Sequence, residues 1–82
     1  MTQSMRKVPR YNKGIYVKIS FILDDGRWKY AHLKKPQNEK YDGKRAQVTD
    51  SMYLEDNLCL YKLKFSDGIE LNGIPEDCLI SL

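Results

Sequence analysis

The sequence predicts an all-β protein, a small five-stranded barrel with a short helical turn before the last strand and a flexible basic N-terminal arm. Three observations carry that prediction. Apolar and polar residues alternate strictly from Ile15, Asp-Gly pairs at Asp25-Gly26 and Asp67-Gly68 interrupt the alternation, and long apolar repeats at helical spacing are absent. A period of two sends alternate side chains to one face of a strand, and Asp-Gly supplies the positive φ that tight hairpins need.

Residues 1–13 hold Arg6, Lys7, Arg10 and Lys13 around Pro9 with no apolar periodicity, which predicts a solvated arm. The barrel is expected to occupy residues 14–82. In the first strand Ile15, Val17, Ile19, Phe21 and Leu23 form the core face, and Tyr16, Lys18, Ser20 and Ile22 the outer face. A two-residue turn at Asp25-Gly26 sets Leu23 opposite Trp28, Phe21 opposite Tyr30 and Ile19 opposite His32. The second strand then ends at Lys34-Lys35-Pro36, because proline has no N–H for the ladder.

Residues 34–43 read as a polar loop. A third strand, Arg45 to Asp50, turns Ala46 and Val48 inward, and residues 51–57 form the next loop. The fourth strand, Leu58 to Phe65, buries Cys59, Tyr61, Leu63 and Phe65. A three-residue Ser66-Asp67-Gly68 turn pairs Phe65 with Ile69 and Leu63 with Leu71, whereas a two-residue turn would oppose Phe65 to Glu70. Asn72-Gly73 predicts a further turn. Pro75 to Cys78 predicts one helical turn, with Pro75 preset at its start and Glu76 and Asp77 near its positive end, before a closing strand from Leu79 to Leu82.

Eighty-two residues make one domain, since a chain this short buries only about 60–65% of its unfolded surface and has no core to divide. Hydrophobic residues at 41% and charged residues at 30% favour a globular over a disordered chain. No apolar run reaches the ~20 residues of a membrane span, and the N-terminus lacks the apolar segment of a secretory signal. A cytoplasmic protein is expected. Cys59 and Cys78 form no metal-ligand or redox motif, so each is expected to fill a half-buried strand position as a small apolar residue.

Charge is strongly divided along the chain. Residues 1–45 carry twelve basic and four acidic residues, net +8, and residues 46–82 carry two basic and seven acidic, net −5. The positive half predicts contact with a polyanion, most directly nucleic acid. The expected contact residues are Arg6, Lys7, Arg10, Lys13, Lys34, Lys35, Lys40, Lys44 and Arg45, with Tyr41 and Tyr11 interleaved where a base can stack. The acidic group Glu55, Asp56, Asp67, Glu70, Glu76 and Asp77 reads mainly as turn-forming residues.

Four hairpin strands, a helical turn and a closing strand resemble the SH3-like barrel shared by KOW and Tudor modules. The segment Tyr41-Asp42-Gly43-Lys44-Arg45-Ala46-Gln47-Val48-Thr49-Asp50 resembles the KOW signature, with Gly43 as its glycine and Val48 as its valine. Ala46 stands where a second glycine is usual. Tyr61 to Leu79 is similar to the closing half of such barrels. The resemblance implies binding of RNA, DNA or a protein of transcription or translation, and it implies no catalysis.

Other chemistries find little in the residues. An aromatic cage from Trp28, Tyr30, Tyr41 and Tyr53 conflicts with a register that turns Trp28 and Tyr30 toward the core. His32, the single histidine, has no nucleophile and orienting carboxylate at recognisable spacing, and is expected to make a structural hydrogen bond. No cofactor or metal motif is present, so the expected protein is a non-enzymatic binding module and a nucleic-acid-associated or transcription-associated regulator. Its small size suits an accessory or virus-encoded regulator. The alternative is a protein-interaction adaptor or inhibitor, monomeric or homodimeric, whose interface is formed by outward Ile22, Leu33, Leu58 and Leu60.

Overall fold

A computed structural model of the chain describes residues 9–54 and 58–82. Five antiparallel strands form one sheet: β1 (Tyr16–Ile19), β2 (Arg45–Tyr53), β3 (Cys59–Phe65), β4 (Glu70–Pro75) and β5 (Leu79–Ser81), in the order β4-β3-β2-β1-β5. One short helix, α1 (Pro36–Tyr41), and two 3-10 turns, at Ala31–Leu33 and Glu76–Cys78, complete the described elements.

The strand order dictates the curvature. β4 and β5 are the two edges of the sheet, yet only the three residues Glu76–Cys78 separate them in the chain. Four strand spacings would hold the edges of a flat sheet about 19 Å apart. A 3-10 turn rises only about 2 Å per residue, so the sheet must roll up to bring its edges together. Inside the roll lie Val17, Ile19, Phe21, Ala46, Val48, Tyr61, Leu63, Phe65, Ile74 and Cys78, with Trp28, Tyr30 and Tyr53 packed partly against them.

Two bulges account for the breaks in the alternation. In β2 the pairing moves from Val48↔Leu63 to Asp50↔Lys62, so one extra residue reverses the parity: Ala46 and Val48 face inward before it, Ser51 and Tyr53 oppose inward Tyr61 and Cys59 after it. The segment 51–53, expected to be loop, therefore continues the strand. In β4 the partners Leu63↔Leu71 and Tyr61↔Ile74 leave another extra residue at Asn72-Gly73, with Gly73 at φ +72°. What reads as a turn in the sequence is a bulge within a strand.

The expected second strand, residues 28–33, is absent as a strand. Trp28 makes a single bridge to Ile22, and Leu23 N donates to Arg27 O at 2.7 Å, so the first hairpin has a three-residue turn, Asp24-Asp25-Gly26. Phe65 N likewise donates to Ile69 O at 2.9 Å across Ser66-Asp67-Gly68, as expected there. The last residue of each turn, Gly26 and Gly68, has φ +89°, the left-handed conformation that makes this longer turn favourable. The first register thus slips by one, and Ile15 and Leu23, expected in the core, are both exposed.

Residues 34–43, expected to be loop, contain α1. Pro36 is its first residue, where a missing N–H costs nothing, and Asn38 and Tyr41, three residues apart, are its buried face. The Asn38 amide donates to Leu33 O at 2.8 Å, which satisfies it in the core. Leu33 itself is buried, so it cannot belong to an outward interface, and Ile22 is half-buried against the core. His32 lies exposed in a 3-10 turn with its ring edge-on to Tyr30, not in a strand.

The described end of the N-terminal segment is anchored. Tyr11 is buried against Tyr61, its N–H donates to Tyr61 Oη at 3.2 Å, and its hydroxyl donates to Leu79 O at 3.3 Å. Residues 9–13 therefore belong to the folded body rather than to an arm. Residues 1–8, including Arg6 and Lys7, lie outside the described residues. Cys59 and Cys78 are both free and buried, and burial pushes the Cys78 thiol up to about 11.

Leu63, fully buried at the centre of β3, gives a direct stability test. Leu63→Ala should destabilise the fold by ~2–5 kcal/mol in chemical denaturation. A second test concerns alkali. The Tyr30 hydroxyl donates its one hydrogen to the Asp77 carboxylate, whose oxygens lie 2.8 and 2.7 Å away, and this bond, with burial and the Asp77 charge, raises it from 10 to about 12. Its folded value is the higher one, so its stabilising contribution is complete below pH 10 and disappears as pH rises toward 12. Unfolding midpoints should fall across that window, less steeply in Tyr30→Phe.

Candidate nucleic-acid interface

The outer face of β1, β2 and β3 is set by register. Tyr16 lies opposite Gln47 and Gln47 opposite Lys64, which makes one outward row across three strands; Lys18 and Arg45 begin the next. Rows on one face are about 6.8 Å apart, and diagonal neighbours on adjacent strands can touch. Tyr16 and Arg45 are such a pair: the guanidinium sits over the phenol ring, 5.0 Å from its centroid.

This face forms one side of an open groove of about 690 Å³. The C-terminal end of α1 contributes Lys40 and Tyr41, the start of β2 contributes Arg45, Ala46 and Gln47 with Lys44 just before it, and the end of β3 with its turn contributes Lys64, Phe65, Ser66 and Asp67. Four cations thus face one carboxylate. Among the described residues the ion pairs are Arg27–Asp25 at 2.7 Å and Lys62–Glu70 at 3.5 Å, so none of the groove's cations makes a close salt bridge, although Lys64 stands opposite Glu70 in the sheet and the Lys40 charge acts on Asp67.

Asp67, the one acid, is already engaged. The Tyr41 hydroxyl donates to its Oδ2 at 2.5 Å and Ile69 N to its Oδ1 at 3.0 Å. The Tyr41 bond, the Ile69 bond and the nearby Lys40 charge hold Asp67 below the usual carboxylate range, and the same pairing raises the Tyr41 phenol. This link ties the end of α1 to the β3–β4 turn and fixes the width of the groove at that point.

The expected contact residues separate into two groups. Lys40, Lys44 and Arg45 converge on the groove. Lys34 and Lys35 are exposed ahead of α1, and Arg10 and Lys13 on the anchored N-terminal segment, all away from the groove lining. Tyr41 and Tyr11, expected where a base can stack, are both buried, Tyr41 against Phe65 with ring centroids 4.4 Å apart. Tyr16 and Lys64, absent from the expected set, also line the groove. Strand parity alone turns both outward; it is the Tyr16–Gln47–Lys64 register that brings them together, and no local signal encodes it.

A second, apolar surface lies where β2 and β3 run toward residues 54 and 58. Met52 is 59% exposed, Leu54 and Leu58 are exposed, and half-buried Leu60 lies opposite Met52. No described helix is long and apolar enough to cross a membrane. No family model, curated protein or solved structure matches this chain.

Proposed function

We propose that this barrel is a non-enzymatic binding module that contacts nucleic acid through the β1–β2–β3 groove, acting as a nucleic-acid-associated regulator. The observation that carries the reading is convergence: the local cluster Lys40, Lys44 and Arg45 meets Lys64 of β3 at one groove, none of the four in a close salt bridge with a described residue, around an exposed Tyr16 ring. Cations placed for phosphates and an aromatic face placed for a base are the two components of nonspecific nucleic-acid binding. The likeness of residues 41–50 to the KOW signature points the same way, since its basic pair Lys44-Arg45 is the groove's.

A second reading, a protein-interaction adaptor, draws on the exposure of Met52, Leu54 and Leu58 beside Leu60. Leu33, being buried, does not contribute to it. The two readings use different surfaces, so Leu58→Glu and charge reversal in the groove separate them.

Counterion release gives the quantitative test. Four phosphate contacts at about −0.7 to −0.9 each predict that log affinity falls against log salt with a slope of roughly −3. Lys44→Glu with Arg45→Glu should cut affinity for labelled DNA or RNA at least tenfold and flatten the slope, with circular dichroism unchanged. Binding by the charge-reversed protein equal to wild type removes the groove as the contact surface.

A further inference from the structure

We propose that the groove takes single-stranded rather than duplex nucleic acid, with one base laid on the open face of Tyr16 and the flanking phosphates met by Lys40, Lys44 and Lys64; this rests on the groove being a nucleic-acid site. Tyr16 is 47% exposed at the β1 end of the Tyr16–Gln47–Lys64 row, which leaves its ring open to a ligand. Arg45 lies over the ring, 5.0 Å from its centroid, and the proposed base takes the opposite face. The resulting order is guanidinium, phenol, base, which joins a cation–π contact to a stacking contact.

The rest of the groove argues against a duplex. Bases in a duplex are stacked on one another, so a phenol face reaches one only where the strand is open. Proteins that read a duplex directly insert a helix or a two-stranded ribbon into a major groove about 12 Å wide. The nearest helix, α1, has six residues and turns Asn38 and Tyr41 into the core. Two of the polar groups are partly committed within the protein, Gln47 Nε2 to Gly14 O at 3.2 Å and Asp67 to Tyr41 and Ile69. The groove offers an exposed ring and the long flexible side chains of Lys40, Lys44, Arg45 and Lys64, a combination that tolerates any base.

The test is fluorescence anisotropy with labelled DNA and RNA single strands of equal length, the matching duplex, and a single strand with abasic central positions. The proteins are wild type, Tyr16→Phe and Tyr16→Ala, with circular dichroism checking the fold of each. Single strands are expected to bind more tightly than duplex, and Tyr16→Phe to keep that affinity because the stack uses the ring and not the hydroxyl. Tyr16→Ala is expected to lose about five- to 150-fold on the base-bearing strand and little on the abasic one. Equal or tighter binding of duplex overturns the proposal, as does an equal Tyr16→Ala loss on abasic and base-bearing strands. Absence of binding to every probe removes the nucleic-acid reading of the groove itself, whereas duplex preference removes only the single-strand assignment.

Discussion

Three residues joining opposite edges of a five-stranded sheet are the constraint on which the rest of this structure depends. Glu76–Cys78 connects β4 to β5, and every strand between them must curve to let it do so. The connection is gripped from several sides. Glu76 accepts from the Tyr61 hydroxyl at 2.7 Å and from Arg10 N at 3.2 Å, Asp77 accepts from Tyr30, and Cys78 O accepts from Ser20 N at 2.7 Å. Tyr61 then receives the N–H of Tyr11, so the closure also fixes the N-terminal segment. Burial and the Glu76 bond drive the Tyr61 phenol far above its ordinary range, keeping it a donor. The acids that look like turn formers in the sequence thus act here as acceptors that lock the roll.

Closure has a functional consequence for the outer face. Once the sheet is rolled, the apolar sides of β1, β2 and β3 are committed to the core, and their other sides must carry whatever contacts the protein makes. On that outer surface the charge asymmetry of the sequence becomes a spatial one: Lys18 and Arg45 come from the basic half, and Lys64 joins them from the acidic half by register. Four acids of the second half are engaged within the protein, Glu76 and Asp77 at the closure, Asp67 by Tyr41 at the groove and Glu70 by Lys62. A chain of net charge +3 therefore presents a groove much more basic than its composition indicates.

The sequence is most legible where the period is unbroken. β3, its three-residue turn, the 3-10 turn after Pro75 and the final strand are all readable, because each is local and the alternation Cys59-Tyr61-Leu63-Phe65 leaves one inward face. The losses have physical causes. A single bulged residue near Thr49 reverses parity and makes the rest of β2 look like loop, and Gly73 in a bulge imitates a hairpin turn. Pro36 serves equally as the end of a strand and the start of a helix, and six residues of helix are too few to show a 3.6-residue period. In the site, Lys40, Lys44 and Arg45 are legible from charge clustering. Tyr16 and Lys64 are not, since their association depends on strand pairing across nearly fifty residues.

The most direct measurement of whether the groove is the contact surface is an NMR titration of the labelled protein with a short single-stranded oligonucleotide. The amide shifts should concentrate at Tyr16, along 40–47 and at 64–67, the strands and turn that line the groove. Shifts concentrated at 50–54, 58–60 and 72–73 instead, on the surface around Met52 and Leu60, would contradict the account, as would a spectrum unchanged at saturating oligonucleotide.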